Sequence, residues 1–342
     1  VRLIASLMRG AVVTWPADLA AADFLRACDA HGATPLIAWQ LRRNPQLQLP
    51  AEVVEQLEIS ARAMKTLDVV RGHAVEELLD RFASARIPLL VIKGAALART
   101  HYPHSSLRPR CDVDVFVDPS SLPRVADVLR ETGYHEESGS GGDLISHQRM
   151  WVRIDAVGVR HCIDLHWALS NRQRYVDSFS FDELWSRGVM LSGSDVRMPS
   201  PADALLIAAM HLAGHHRGNE RLIWLYDIHL LHGTTPPDEL QAAALLARER
   251  DLDLPLDVAI ALALRWFGDG HDETVQPLAK QSGIEELVDD LRYTRGLRRK
   301  LKLMREHLFP PAEYVLEKYG VRSRTALPAL YVRRAAAWLL RH

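Results

Sequence analysis

Apolar residues recur at helical spacing through residues 51–82. Val54, Leu57, Ala61, Met64, Leu67 and Val70 share one side, charges take the other, and no proline interrupts. The pattern predicts a long amphipathic helix. With shorter helices punctuated near Asp18 and Pro35, it makes residues 1–85 a helical region. The period changes at Ile87. The run Ile87-Pro-Leu-Leu-Val-Ile92 is continuously apolar, contains β-branched members and ends at Gly94, which predicts a buried strand. A helix is expected over residues 95–100 and a second strand over 111–117. An amphipathic helix over 122–132 follows, capped by Gly133, and then a glycine-serine loop over 138–142. Residues 150–154 and 159–166 read as strands joined by a turn at 156–158. The helical period returns at about Pro199, where Ser200-Pro-Ala-Asp203 supplies an N-cap, a first-turn proline and a first-turn acid. Helices are expected over 205–215, 221–231, 237–249 and 256–267. The fold class is therefore α+β: a small mixed-sheet core at 86–198, flanked by helical regions at 1–85 and 199–342.

Composition narrows the function classes. With 48% hydrophobic and 25% charged residues the chain is an ordinary globular one, not disordered or fibrous. The 42 basic and 43 acidic residues leave a net charge of −1, which excludes a chain-wide electrostatic grip on nucleic acid. The longest apolar stretches, such as 258–264, fall well short of the roughly 18 residues of a membrane span. Arg9 breaks the first apolar run and no small-residue cleavage site follows, so no secretory signal is read. Cys28, Cys111 and Cys162 are too few and scattered for a disulfide framework. The expectation is a reduced, cytoplasmic protein with no membrane partner. Cys111, Cys162 and the tryptophans Trp185, Trp224 and Trp266 read as core residues.

Six of the 42 basic residues are lysine, so a lysine in an unusual place is informative. Lys93 ends an apolar strand and is followed at once by Gly94. A strand opening through glycine into a helix presents backbone amides that cradle phosphate, and a lysine there adds a point charge. Asp112-Val-Asp114 lies on the next strand, where period-2 alternation puts both carboxylates on one face. Two such carboxylates suit a shared divalent cation, although a solvated strand end would carry them equally well. Asp164, in Ile163-Asp-Leu-His166, adds a third strand-borne carboxylate. Three aspartates beside a phosphate-binding turn describe a two-metal phosphoryl or nucleotidyl transfer site.

These residues carry a resemblance. Leu90-Val-Ile-Lys-Gly94, Tyr102-Pro103, Leu107-Arg108 and Asp112-Val-Asp-Val-Phe-Val117 form its first half. Gly133-Tyr134, Asp164-Leu-His-Trp167, the segment from Leu212 to His215, Arg221-Leu-Ile-Trp-Leu-Tyr-Asp227 and Leu308-Phe-Pro-Pro311 with Tyr314 complete the set. From about residue 51 onward the chain resembles the uncharacterised nucleotidyltransferase family of the DNA polymerase β superfamily. The resemblance implies a nucleotidyltransferase-like core that moves a nucleoside monophosphate from a nucleoside triphosphate to an acceptor hydroxyl, with release of pyrophosphate. It implies Asp112, Asp114 and Asp164 as catalytic residues and ligands of two Mg2+ ions, Mn2+ being an alternative, with Asp164 helping to deprotonate the acceptor. Gly94 matches the glycine of the superfamily's Gly-Ser phosphate turn. Lys93 and Arg108 are the further nucleotide-binding candidates. The sequence departs from the pattern at Ala95, where the turn's serine is absent, and in a longer interval between Gly94 and Asp112.

His211 and His215 are four residues apart and share a helix face, with His216, His166 and Asp227 as further potential ligands. A histidine-centred metal hydrolase is thus a second reading. A catalytically inactive nucleotide-binding module, favoured by Ala95, is a third. Within the transferase reading, His166 and His215 belong to the acceptor pocket. Arg292, Arg295, Arg298, Arg299, Lys300, Lys302 and Arg305 form a basic run without acids, read as a solvated helix face or a contact for RNA or a phosphorylated acceptor. A small molecule, sugar or peptide acceptor is favoured over nucleic acid.

Overall fold

In the computed structural model, which describes residues 1–139, 141–191, 196–217, 219–268 and 275–339, the chain opens with helices α1 (Arg2–Met8), α2 (Ala21–His31), α3 (Thr34–Arg43) and α4 (Ala51–Ser84). Ser140, within the expected glycine-serine loop, lies outside the described residues. α4 is a single rod of 34 residues. Its first half buries Val53, Leu57 and Ala61 against the helical body, and its second buries Val75, Leu78, Leu79 and Phe82 against the sheet. The single apolar stripe read from sequence therefore does not persist: between the two contacts Leu67 is exposed.

Strand β1 (Leu90–Ile92) runs directly into α5 (Lys93–Thr100). β2 (Val113–Phe116), α6 (Leu122–Glu131), β3 (His135–Glu136), β4 (Gln148–Ile154) and β5 (Arg160–His166) follow. α7 (Phe181–Arg187), β6 (Val189–Met190) and β7 (Arg197–Met198) complete the unit. The seven strands form one mixed sheet in the order β3-β4-β5-β2-β1-β7-β6, with β2 parallel to β5 and β1 parallel to β7. β3, β6, β7 and α7 were not expected. Two-residue strands contain too few positions to display alternation, so pairing with neighbours alone defines them. α5 begins two residues earlier than expected and takes Lys93 and Gly94 into its first turn. Gly133, at φ +82°, closes α6 as anticipated: the Tyr134 amide donates to the Leu129 carbonyl at 2.8 Å.

α8 (Pro201–His215), α9 (Leu222–Thr234), α10 (Pro237–Glu249) and α11 (Asp253–Phe267) build the helical body with α1–α3. The Ser200 hydroxyl accepts from the Asp203 amide at 3.2 Å and Pro201 opens α8. Beyond it lie α12 (Gly283–Tyr293), α13 (Leu297–Leu308), α14 (Ala312–Lys318) and α15 (Leu327–Leu339). Arg292, Arg295, Arg298, Arg299, Lys302 and Arg305 are exposed on α12, α13 and their junction. No described helix is long and apolar enough to cross a membrane.

Strand alternation sorts the sheet into two faces. Val91, Val113, Val115, Val117, Ile163 and Leu165 pack with α4 and α6 on one side. Leu90, Ile92 and Phe116 point the other way, into the core shared with α8, α9 and α11. Asp114 has the parity of Phe116, so it faces the helical body. That parity sets the position of the cleft.

Candidate active site

A cleft of about 720 Å³ separates this sheet face from α8 and α9. Asp112, Asp114, Asp164, Lys93, Gly94 and Gln148 line its floor, and His211, His215, His216 and Trp224 its helical wall. Asp114 and Asp164 are direct partners in the parallel β2–β5 register, so their side chains stand next to each other on one face. Phe116 pairs with His166 in the same ladder and Ile92 pairs with Asp114 across β1 and β2, which brings Lys93 to the same spot.

The result is a buried, charged cluster. Lys93 Nζ donates to Asp114 Oδ1 at 2.7 Å, and His166 Nε2 lies 2.9 Å from the same oxygen and 3.1 Å from Asp164 Oδ2. Lys93 has φ +53°, a left-handed conformation that costs a non-glycine residue on the order of 1 kcal/mol. Its contact with Asp114 offsets that strain. Burial works against the charge on Asp114, but Lys93 and His166 prevail and hold its carboxyl well below the usual range. Burial likewise works against a charged His166, and so does Lys93. The Asp164 and Asp114 carboxylates outweigh both, leaving its affinity for a proton above that of a free imidazole. Asp112 precedes β2, is half-buried and binds its proton more tightly than usual, through burial first and then the Asp114 and Asp164 charges.

Among the described residues, Asp114, Asp164 and His166 form the one group of three whose ligand atoms lie within 4.8 Å of one another. Asp112 lines the cleft beside this group and is not part of it. Two carboxylates and an imidazole are a chemically suitable donor set for a divalent cation. One atom is unclaimed: Asp164 Oδ1 is buried without a hydrogen-bond partner, whereas Oδ2 accepts from Gln148 Nε2 at 2.9 Å. His166, expected in the acceptor pocket, is placed between the carboxylates, and its side chain is almost fully buried.

Arg108, a nucleotide-binding candidate from the sequence, lines the cleft with its guanidinium engaged by an acid of α9. Its guanidinium is buried against Asp227, with Nε 2.9 Å and Nη2 2.7 Å from Oδ2, and the Tyr102 hydroxyl donates to Oδ1 of the same carboxylate at 2.7 Å. Tyr102, Arg108 and Asp227, three separate members of the sequence pattern, thus form one buried network joining the segment after α5 to α9. Gly94 sits against it. A Cβ at this position would lie 3.0 Å from Arg108 Nη2, so glycine permits the close approach.

The histidines of the wall interact mainly with each other. His216 Nε2 is 3.0 Å from His211 Nε2, and the His216 ring stacks on Trp224 with centroids 3.8 Å apart. His215 is exposed, its Nε2 3.4 Å from the Ser170 hydroxyl. Burial, with Lys93 and Arg221 nearby, pushes the His216 imidazole down from 6.5 to about 4. We expect its side-chain 15N shifts to report a neutral ring at pH 6, and a midpoint near 6.5 would contradict this environment. Between those two values the unfolded chain binds a proton that the folded one does not. This group's contribution to stability is therefore complete above pH 6.5 and falls as the pH drops toward 4. Trp224, expected in the core, packs partly buried against it and also lines the cleft, and Cys111 is exposed while Cys162 is half-buried. None of the residues in the basic run of α12 and α13 is among those lining the cleft.

The family model described as "Uncharacterised nucleotidyltransferase" matches residues 18–268. The chain belongs to that family. Nucleotidyl transfer is accordingly its activity class. No protein of curated function matches the chain. Several solved structures are similar to parts of it, two of them as follows. One is the solution structure of the antibiotic-resistance factor ANT(2'')-Ia, 13% identical, covering 55% of this chain and 96% of that one with a TM-score of 0.39. The other is the crystal structure of an antigenic nucleotidyltransferase-like protein from Paracoccidioides brasiliensis, 17% identical, covering 56% and 92% with a TM-score of 0.33.

Gln148, Asn171 and Trp224 were not singled out as site residues from sequence. Trp224 lay within the family pattern Arg221–Asp227 without a role, and Gln148 lies two positions before the expected strand at 150–154, where extending that strand's alternation backwards puts it on the face of Met150.

Proposed function

We propose that this protein transfers a nucleoside monophosphate from a nucleoside triphosphate to a hydroxyl of a small-molecule or peptide acceptor. The observation that carries the reading is the parallel pairing of Asp114 with Asp164, two residues that line the cleft, with Asp164 Oδ1 left without a hydrogen-bond partner. Divalent cations, Mg2+ or Mn2+, held by Asp112, Asp114 and Asp164 with His166 adjoining, would neutralise the triphosphate and make the acceptor hydroxyl more acidic. In this reading Asp164 Oδ1 takes the hydroxyl proton as the acceptor oxygen bonds to the α-phosphorus. The bond from that phosphorus to the oxygen bridging toward the β-phosphate breaks, and pyrophosphate leaves with its electron pair. The first-turn amides of α5 at Lys93, Gly94 and Ala95 have no intrahelical acceptor and orient the phosphates. Lys93 adds charge next to them, and Arg108 supports the shape of the turn from behind Gly94. Residues 86–198 carry the chemistry, and the helical regions at 1–85 and 199–342 close the cleft, with His215 on the acceptor side.

Ala95 is buried and supplies no hydroxyl to the turn, which keeps a nucleotide-binding module without turnover as the second reading. No three-ligand group among the described residues includes His211 or His215, so nothing in the wall favours a histidine-centred hydrolase. The deciding experiment is thermal unfolding with each of the four ribonucleoside triphosphates, with and without Mg2+, for wild type and Asp112→Ala. A Mg2+-dependent rise in melting temperature with at least one nucleotide, lost in the variant, is the expected result. Nucleotide at about 100 times its Kd stabilises by roughly 2.7 kcal/mol. No shift with any nucleotide would overturn the assignment.

A further inference from the structure

We infer that Gln148 and Asn171 form a polarity relay whose function is to fix which oxygen of Asp164 stays free of protein hydrogen bonds. The inference rests on the reading of Asp164 as a metal- and acceptor-facing carboxylate and adds two positioning residues to it.

The relay starts at a group whose polarity cannot be reversed. The backbone amide of His147 can only donate, and it donates to Asn171 Oδ1 at 2.7 Å. That contact fixes the orientation of the Asn171 amide and turns Nδ2 toward Gln148, where it meets Oε1 at 3.4 Å. With Oε1 facing a donor, the NH2 end of Gln148 must point the other way, and it donates to Asp164 Oδ2 at 2.9 Å. Each amide is ambiguous alone. Together, anchored by one main-chain N–H, they allow a single arrangement.

The sheet makes this reach possible. Gln148 pairs with His166 and Met150 with Asp164 in the antiparallel β4–β5 ladder, so Gln148 is a diagonal, same-face neighbour of Asp164. Oδ2 thereby receives Gln148 Nε2 and also lies 3.1 Å from His166 Nε2, while the buried Oδ1 has no partner. A carboxylate clamped through one oxygen presents the other in a fixed direction. Partners of this kind tune metal ligands elsewhere, and their loss typically lowers metal affinity by about 10–100-fold.

Two substitutions test the relay without altering any carboxylate of the cluster. Gln148→Leu removes the donor to Oδ2. Asn171→Asp keeps the size and still accepts from His147, but puts an acceptor opposite Gln148 Oε1. The glutamine amide then has to turn over and present its oxygen to Asp164. Charge alone predicts the opposite sign for this variant, because an added carboxylate near the cleft attracts cations. The readout is binding of Mn2+ alone, followed by the electron paramagnetic resonance signal of the free ion, alongside the melting temperature of the metal-free proteins. We expect at least about tenfold weaker Mn2+ binding in both variants, with metal-free melting temperatures near wild type. Unchanged affinity in Gln148→Leu, or unchanged or tighter binding in Asn171→Asp, would overturn the relay while leaving the transferase reading intact. If wild type itself bound no Mn2+, the metal reading of Asp164 would fail, and the relay's function with it.

Discussion

Asp164→Asn is expected to reduce nucleoside triphosphate turnover by roughly 10³-fold or more, combining loss of a proton acceptor with loss of a metal-binding charge. The substitution keeps the shape of the side chain and its place between Ile163 and Leu165, both buried against α4 and α6, so the fold has no reason to change. What changes is the charge of a residue that lines the cleft. The oxygen without a partner becomes part of a neutral amide that cannot take a proton from a hydroxyl. Pyrophosphate release in the presence of Mg2+ measures the effect, and circular dichroism melting checks the fold. Activity within about tenfold of wild type would mean that Asp164 is not the proton acceptor. Asp114→Asn would be harder to interpret, because Lys93 and His166 both depend on that carboxylate in a buried setting.

Asp227→Ala is expected to destabilise the protein by about 3–5 kcal/mol, since it leaves the buried Arg108 guanidinium without a counter-charge. It also removes the acceptor of the Tyr102 hydroxyl. The paired replacement Arg108→Met with Asp227→Leu is expected to recover most of this loss, because an apolar pair of similar volume carries no desolvation penalty. Urea unfolding of the two single variants and the double variant measures the coupling. If the single and double variants were equally destabilised, the interaction would not be the ion pair that the geometry shows. The contrast with Asp164 is informative: both aspartates line the cleft, yet one is matched on both oxygens and the other on one only.

Much of this protein was legible in its sequence where the physics is local. The α4 rod, the N-cap at Ser200, the Gly133 cap and the two central strands follow from periodicity and from residues that permit particular backbone conformations. Asp114 could be read because period-2 alternation fixes its face whatever the strand packs against, whereas Asp112 precedes β2 and lies outside the ladder that sets that alternation. The short strands β3, β6 and β7 and the helix α7 were not legible. The two-residue strands exist only because a neighbour completes their hydrogen bonds: β3 pairs with β4, β6 with β7, and β7 in turn with β1, which is distant in sequence.

The sequence by itself determined which residues carry charge onto strand faces, and where strands hand over to helices. It also held the pattern that marks the nucleotidyltransferase family. Only the tertiary structure decided what those charges meet. The β2–β5 register set Asp114 against Asp164 and brought His166 between them, while α9 folded back so that Asp227 claimed Arg108. Alternation and propensity act over a few residues, whereas partner choice for a buried charge is settled by whichever opposite group the packed chain brings within hydrogen-bond distance. His166 and Asp114 are 52 positions apart in sequence and Arg108 and Asp227 are 119 apart, beyond the reach of any local pattern.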